Sequence, residues 1–284
     1  MQKTVSLVLG SGGARGLAHI GVIKWLTENN YKIKSISGCS IGSLIGGFYA
    51  AGKLDAYEEW LKDVEVLDML KLLDLKGSGG IVSGAPLMAK LEELMDGDRL
   101  IEELDLTFTA VSADIDNEKE IWFNEGSLIQ AIRASISIPL FFTPYHYKNM
   151  LLVDGGVLNP VPIAPTFHDD TDLTIAVNLG GNISHEQLLS QEKTEDPSFT
   201  SKIKEYLSKV TLPDSIASEN GMYVVANKSF EAMQSTIARM KLATYPPDIE
   251  IDVPRNLCGT FEFNKSKKII EYGYNLCRDT FAKQ

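Results

Sequence analysis

The pentapeptide GCSIG at residues 38–42, between a predicted strand and a predicted helix, constrains this chain more than any other feature. Strand-forming residues at 32–37 lead into it, and a run of apolar and small residues continues to Ala51, where Gly52 is suited to end a helix. This is the context of a nucleophile elbow, in which a serine on a tight turn presents its hydroxyl group. The pattern also fits a glycine-rich turn whose serine only caps the helix. Ser40 is therefore a candidate nucleophile.

A second glycine-rich turn, GSGGARG at residues 10–16, follows a strand predicted at 4–9 and precedes a helix predicted at 17–29. Free N–H groups at such a turn can bind a nucleotide phosphate or the oxyanion of an acyl-transfer reaction. A dinucleotide-binding turn would need glycine where Arg15 stands, and an acidic residue about twenty positions later, which is missing. A P-loop would need Gly-Lys-Ser/Thr, which does not follow. The turn is more typical of an oxyanion hole.

Strands and helices alternate along most of the chain, which predicts an α/β fold around a largely parallel sheet. A hairpin signal at Asp116-Asn117 makes that sheet mixed. Three glycines inside the helix after Ser40 indicate that another element packs closely against it. Further strands are predicted at 104–115, 118–123, 150–153, 173–179 and 249–253, and further helices at 55–75, 87–95, 128–135, 202–210, 214–244 and 266–281. The helix at 55–75 either covers the sheet or forms a lid over an acyl site.

The composition excludes some classes of partner. The chain has 284 residues, a net charge of −11 and a pI near 4.9, so nucleic acid is not an expected partner, and electrostatic attraction to an anionic membrane is disfavoured.

The three cysteines lack the spacing of a disulfide framework or a zinc site, which indicates reduced thiols in a cytoplasmic protein. No signal peptide and no membrane-spanning stretch is expected from the sequence. We predict no metal and no cofactor.

A nucleophilic serine needs a base, and the sequence offers two candidates. Asp154 ends a short apolar strand and precedes two glycines. A carboxylate at such a strand end can face the crevice where α/β sheets bind ligands, or it can be a turn residue that only accepts hydrogen bonds from nearby backbone N–H groups. His146 is the one histidine suited to a Ser–His pair. The other histidines have simpler interpretations, as a packing residue (His19), a solvated residue (His168) and part of a polar stretch (His185).

Three motifs in order then resemble the patatin-like phospholipases: GSGGARG at 10–16, GCSIG at 38–42 and Asp154-Gly155-Gly156. The segments RASISIP at 133–139 and NPVP at 159–162 are also similar to bacterial members of that family. The resemblance covers about residues 4–180 and implies a three-layer α/β/α sandwich with a mixed, largely parallel sheet. The polar and acidic composition of residues 181–201 predicts a linker. Residues 202–284 resemble an extension of bacterial members more loosely, and we expect this extension to be mainly helical and to pack on the same core.

The resemblance implies a Ser–Asp dyad, with Ser40 as nucleophile, Asp154 as base, and backbone N–H groups of Gly12 and Gly13 as the oxyanion hole. Because a carboxylate of ordinary pKa, about 4, is a weak base toward serine, burial must raise its basicity or proton transfer must be concerted with attack. Arg15 either holds the turn or meets an anionic head group. The residues expected to support these motifs are Gly10, Arg15, Gly16, Gly38, Gly42, Gly155 and Gly156.

The expected activity is hydrolysis of carboxylic esters of lipids, of the phospholipase A, lysophospholipase or esterase type. The expected partners are a lipid or small ester substrate and, transiently, a membrane surface. Two alternatives remain open from the sequence. One is an acyltransferase of the malonyl-transferase type that uses Ser40 with His146, and the other is a non-catalytic regulatory protein with the same fold.

Overall fold

A computed structural model of the chain describes residues 2–63, 72, 82–139, 141–184 and 222–284. Most of the predicted helix at 55–75 after Asp63 lies outside these residues, as do the predicted helix at 202–210 and the polar stretch from His185 onward. None of the helices in the described part of the chain is long and apolar enough to cross a membrane.

Eight strands and seven α-helices make up the described part of the chain. The strands are β1 (Lys3–Leu9), β2 (Tyr31–Cys39), β3 (Thr107–Asp114), β4 (Lys119–Phe123), β5 (Tyr145–Tyr147), β6 (Met150–Asp154), β7 (Leu173–Gly181) and β8 (Ile249–Pro254). The helices are α1 (Ala18–Glu28), α2 (Ile41–Ala50), α3 (Leu54–Asp63), α4 (Ala85–Leu94), α5 (Leu128–Ser135), α6 (Met222–Thr244) and α7 (Ser266–Phe281).

Several element boundaries differ from the sequence predictions. β3 begins at Thr107 rather than 104, because residues 101–103 form a 3-10 turn. A short strand that was not predicted, β5, pairs antiparallel with β6. α4 begins at Ala85 rather than at 87, because Gly84, with φ of 73°, caps the helix. β2 continues through Gly38 and Cys39, so the strand reaches the candidate nucleophile itself.

The sheet is mixed and largely parallel. β8, β7, β1, β2 and β3 are parallel neighbours in that order, and β4 and β6 are antiparallel to β3. The loops after β1 and β2 therefore emerge at the same edge of the sheet, since both strands end there. These loops carry the glycine-rich turn and Ser40.

β2 and β6 meet end to end along one edge of β3. Residues 110–111 pair with both β2 and β4, and residues 112–114 pair with both β4 and β6. Because a strand has only two edges, β2 and β6 must share the edge opposite β4. Cys39 lies opposite Val111 and Asp154 lies opposite Ser112, so the two strand ends are one register step apart.

Helices pack on both faces of the sheet. On β1, Leu7 and Leu9 face the large core formed with α1, α2 and α7, whereas Val8 faces the opposite side. There it packs with Ala238 and Leu242 of α6. The protein is therefore an α/β/α fold, in which α6 comes from the region after residue 202.

Helix α2 packs unusually closely against the sheet, as its glycines predicted. A Cβ atom on Gly42 would lie 2.1 Å from the carbonyl oxygen of Leu9, and one on Gly46 would lie 2.7 Å from a methyl carbon of Ile36. α2 ends at Ala50, and after its cap residue Ala51 the φ of 67° at Gly52 allows the Lys53 N–H to donate to the Phe48 carbonyl. This packing fixes the start of α2, where Ser40 lies.

Candidate active site

Ser40 lies in a strained turn between β2 and α2. Its φ of 55° and ψ of −124° are unusual for a residue with a side chain, and only 3% of its surface is exposed. The Ser40 N–H donates to Ser135 Oγ at 2.9 Å, and its carbonyl accepts from the Ser43 N–H at 2.9 Å. A Cβ on Gly38 would lie 2.6 Å from the backbone of Gly42, so the turn closes only with glycine there. These features are those of a nucleophile elbow.

The hydroxyl of Ser40 donates a hydrogen bond to Oδ2 of Asp154, which is 1% exposed. The other carboxylate oxygen, Oδ1, accepts from the Gly156 N–H at 2.7 Å, and the Cys39 thiol lies 3.7 Å from it. The two carboxylate oxygens therefore have separate partners. Oδ1 is held by the local backbone, and Oδ2 faces the serine.

Burial raises the pKa of Asp154 from 3.8 to about 6, although hydrogen bonds from Ser40, Gly156 and Cys39 oppose the shift. A carboxylate with a pKa near 6 is a stronger base than an exposed one, yet it is still ionised at neutral pH. Partial desolvation is the condition that a carboxylate base toward serine requires.

Residues at the end of α5 hold both members of this pair. Ser135 Oγ, which accepts from the Ser40 N–H, donates to the Val111 carbonyl at 2.6 Å, and the Ser137 carbonyl accepts from the Asp154 N–H at 2.9 Å. Arg133 in turn donates to Ser137 Oγ at 2.5 Å. The segment at 133–139 therefore fixes the backbone at the nucleophile and at the carboxylate together.

Two N–H groups in the glycine-rich turn have no acceptor among the described residues, those of Gly12 and Gly13. The neighbouring groups are all bonded: Gly10 N–H to the Val177 carbonyl at 3.0 Å, Ser11 N–H to Pro160 at 2.8 Å and Ala14 N–H to Thr260 at 2.8 Å. The two unpaired donors are the ones predicted to form the oxyanion hole. They belong to a backbone that is fixed on both sides.

Arg15 holds the turn from behind. Its Nε donates to the Gly12 carbonyl at 3.1 Å, and its Nη1 donates to the Arg255 carbonyl at 2.6 Å. The Gly12 carbonyl and the Gly13 N–H belong to one peptide unit and point in opposite directions. Holding the carbonyl therefore sets the direction of the N–H. Of the two roles considered for Arg15, these contacts favour the first.

Three further motif glycines lie in close contacts. A Cβ on Gly16 would lie 2.3 Å from a methyl carbon of Ile41, and one on Gly155 would lie 2.3 Å from the Val111 carbonyl oxygen. A Cβ on Gly156 would lie 2.2 Å from Nε2 of Gln234, which comes from α6. Each of these glycines allows a segment to approach Ser40 or Asp154 closely.

The histidines occupy other positions. His146 is exposed on β5, and His168 is exposed in a loop. His19 is fully buried, and its Nε2 donates to the Gly10 carbonyl at 2.9 Å. Burial lowers its pKa to about 4, so it is a neutral residue that supports the glycine-rich turn. Among the described residues, no group of three or more His, Cys, Asp or Glu side chains is placed to hold a metal ion.

Several residues that support the site were not predicted from the sequence. Ser135 ends α5 and Ser137 follows it, in a segment noted only for its resemblance, although two serines at the end of a predicted short helix were a usable signal. No sequence signal pointed to Glu231, Thr260 and Gln234, because these residues reach the glycine-rich turn from distant segments of the chain. Thr260 Oγ1 donates to Glu231 Oε1 at 3.0 Å, and Glu231 lies 3.6 Å from Arg15 Nη2.

Comparisons with known proteins identify the family of this chain. The family model for patatin-like phospholipase matches residues 7–167. An uncharacterized NTE family protein of Mycobacterium tuberculosis is 34% identical over 95% of this chain and 89% of its own length. Human patatin-like phospholipase domain-containing protein 6 is 27% identical over 99% of this chain and 20% of its own length.

Among solved structures, VipD from Legionella pneumophila aligns with 99% of this chain and 67% of its own, at a TM-score of 0.47 and 14% identity, which is too distant to add to the assignment. The family match covers all three predicted motifs, and the similarity to the mycobacterial protein extends over nearly the whole chain. The chain therefore belongs to the patatin-like phospholipase family.

Proposed function

We propose that this protein is a serine hydrolase that cleaves carboxylic esters of lipids through Ser40 and Asp154. The observation that carries the proposal is the buried hydrogen bond from the Ser40 hydroxyl to Oδ2 of Asp154. Family membership supports lipid acyl hydrolase activity in general. The unpaired N–H groups of Gly12 and Gly13 support an oxyanion hole beside this pair.

In the first half of the reaction, Ser40 Oγ attacks the ester carbonyl carbon while its proton passes to Asp154 Oδ2. The N–H groups of Gly12 and Gly13 stabilise the oxyanion of the tetrahedral intermediate, each by roughly 3 kcal/mol by comparison with other such holes. When the intermediate collapses, the carbon–oxygen bond to the alcohol breaks. The alcohol then leaves with the proton from Asp154.

In the second half, water attacks the acyl group on Ser40 and gives a proton to Asp154. Collapse of this intermediate releases the carboxylic acid and returns the proton to Ser40 Oγ. The substrate is a lipid or small ester, reached through a transient contact with a membrane surface. The three cysteines are free and buried, in keeping with a reducing compartment such as the cytoplasm.

The acyltransferase alternative would pair Ser40 with His146. His146 is exposed on β5, whereas Ser40 is almost fully buried against Asp154. The non-catalytic alternative would have no need of a buried carboxylate aimed at a strained serine. Neither alternative gains a specific observation from the described residues.

A fluorophosphonate probe and a panel of esters test the proposal together. The probe should label the wild-type protein and not Ser40→Ala, and Asp154→Asn should lose ester turnover while His146→Ala keeps it. The reverse pattern for the last two variants would support the acyltransferase. No turnover of any ester by a well-folded protein would support the regulatory role.

A further inference from the structure

A cavity of about 300 Å³ lies beside the glycine-rich turn, and the proposed reaction does not use it. It opens to solvent and is lined by the turn, the end of β7, α6 and the segment after β8, through residues that include Ser11, Arg15, Lys228, Glu231, Ser235 and Arg255. Its volume is at the lower end of the range of roughly 300–1,000 Å³ for small-molecule sites. The cavity has room for a small polar group.

The charge of this cavity is opposite to that of the whole protein. Three residues with cationic side chains line it, Arg15, Lys228 and Arg255, against a single acidic residue, Glu231. The chain as a whole carries a net charge of −11. A local excess of positive charge in such a protein attracts anions to this place in particular.

Nη2 of the Arg15 guanidinium group makes no hydrogen bond to any described residue. The Arg15 side chain is 9% exposed, and its Nε and Nη1 donate to backbone carbonyls. Its Nη2 forms an ion pair with Glu231 Oε1 at 3.6 Å, which is beyond hydrogen-bond distance, and has no other acceptor among the described residues. Because a guanidinium group carries five N–H donors, this leaves a nearly buried cation with free donors at the cavity.

The cavity adjoins the candidate active site. The space that a Cβ on Gly156 would fill is 2.2 Å from Gln234 Nε2, 2.8 Å from Ser11 Oγ and 3.0 Å from Asp154 Oδ1. Ser11 and Gln234 both line the cavity. Two residues of the cavity lining therefore lie against Gly156, whose N–H donates to Asp154, and Arg15 links the lining to the carbonyl of Gly12.

We propose that this cavity binds a phosphate group. A guanidinium group flanked by two further cations and by the hydroxyls of Ser11 and Ser235 matches the charge and the several acceptor oxygens of phosphate. The phosphate belongs either to a lipid whose ester lies at Ser40 or to a free phosphate-bearing molecule. The first source rests on the proposed function, whereas binding itself does not.

Calorimetry on Ser40→Ala, which cannot turn over an ester, tests binding. Inorganic phosphate and glycerol 3-phosphate should bind, and glycerol should not. When Lys228→Gln and Arg255→Gln are added to Ser40→Ala, the affinity for both phosphate compounds should fall by about tenfold or more. Hydrogen bonds to charged groups contribute at least the free energy of a tenfold change in affinity. Arg239→Gln, an exposed change on the same helix, should leave the affinity unchanged.

Thermal unfolding checks that the variant with both Lys228→Gln and Arg255→Gln is folded. If it is not, the binding measurement is made with Arg255→Gln alone. The proposal is overturned if neither phosphate compound binds, or if both bind equally well to the variants. This result does not depend on ester hydrolysis. A failure of the proposed function would instead be seen as absent turnover in the ester panel.

Kinetics with a lysophosphatidylcholine and the monoacylglycerol of the same chain length distinguish the two sources. If the cavity holds the phosphate of the substrate, inorganic phosphate should raise KM for the phospholipid and leave the monoacylglycerol unaffected. If it holds a free molecule, phosphate should affect both substrates alike. Either result supports a phosphate site, and neither is expected if calorimetry detects no binding.

Discussion

Asp154 lies one register step beyond Cys39 on the same edge of β3, although 115 residues separate them in the chain. Two strands that run in opposite directions thus end at the same point, one just before the nucleophile and the other at the carboxylate. The Ser40–Asp154 hydrogen bond follows from strand pairing. It needs no long side chain or flexible loop to bring the two groups together.

The pKa of Asp154 sets the first prediction. A base with a pKa near 6 must be ionised to accept the serine proton, so kcat/KM should be constant above about pH 7. Below pH 6 it should fall about tenfold per pH unit. The measurement is kcat/KM for a neutral soluble ester between pH 4 and 8, with circular dichroism to confirm folding at each pH. Activity that stays constant down to pH 4 would contradict this assignment.

The same burial should make Asp154 costly for stability. The pKa of Asp154 in the folded state, about 6, lies above its ordinary value of 3.8, so the folded state holds the proton more tightly than the unfolded state does. Tighter proton binding stabilises the folded state at low pH, and this stabilisation is lost as pH rises through 6. We expect Asp154→Asn to stabilise the protein by roughly 1–3 kcal/mol at pH 8, and by much less at pH 4. Urea unfolding at the two pH values measures this. A variant that is less stable than wild type at pH 8 would disagree with the prediction.

Ser135 should matter for catalysis through the backbone of Ser40. In Ser135→Ala the buried Ser40 N–H loses its acceptor, which should cost about 1–3 kcal/mol of stability. The strained turn should then hold the hydroxyl less well, so kcat should fall more than KM changes.

Ser127→Ala is the matched control for Ser135→Ala. Ser127 caps the other end of α5 by accepting from the Gln130 N–H, so its loss should cost about 1 kcal/mol of stability. We expect it to leave kcat intact. Equal losses of kcat in the two variants would mean that destabilisation of α5, rather than the contact with Ser40, is responsible.

Arg15→Lys tests how the turn is held. Lysine keeps the charge but lacks the rigid, planar set of donors that bonds the Gly12 and Arg255 carbonyls, so the Gly13 N–H should lose its fixed direction. We expect kcat to fall by about tenfold or more while KM changes little, since the loss falls on the transition state. Labelling by a fluorophosphonate should slow in parallel. Arg239→Lys, on the exposed face of α6, should change neither rate.

The sequence predicted the local parts of this site and not the long-range ones. The turn at 10–16, the elbow around Ser40 and the strand end at Asp154 each depend on residues close in sequence, where glycine placement and hydrophobic pattern carry the information. The structure brings Ser40 and Asp154 together as expected. β5 was missed because three residues are too few to show alternation, and Glu231 and Thr260 because they meet Arg15 only after folding.

The contacts of Arg15 and Ala14 also bear on when the protein becomes active during its synthesis. Their partners, Glu231, Arg255 and Thr260, are translated long after Ser40 and Asp154. A nascent chain that has emerged only as far as β7 already holds the serine and the carboxylate, but not the contacts that order the donor turn. We therefore expect hydrolytic competence to arise late in translation, once the region up to Thr260 has left the ribosome and folded back onto the sheet.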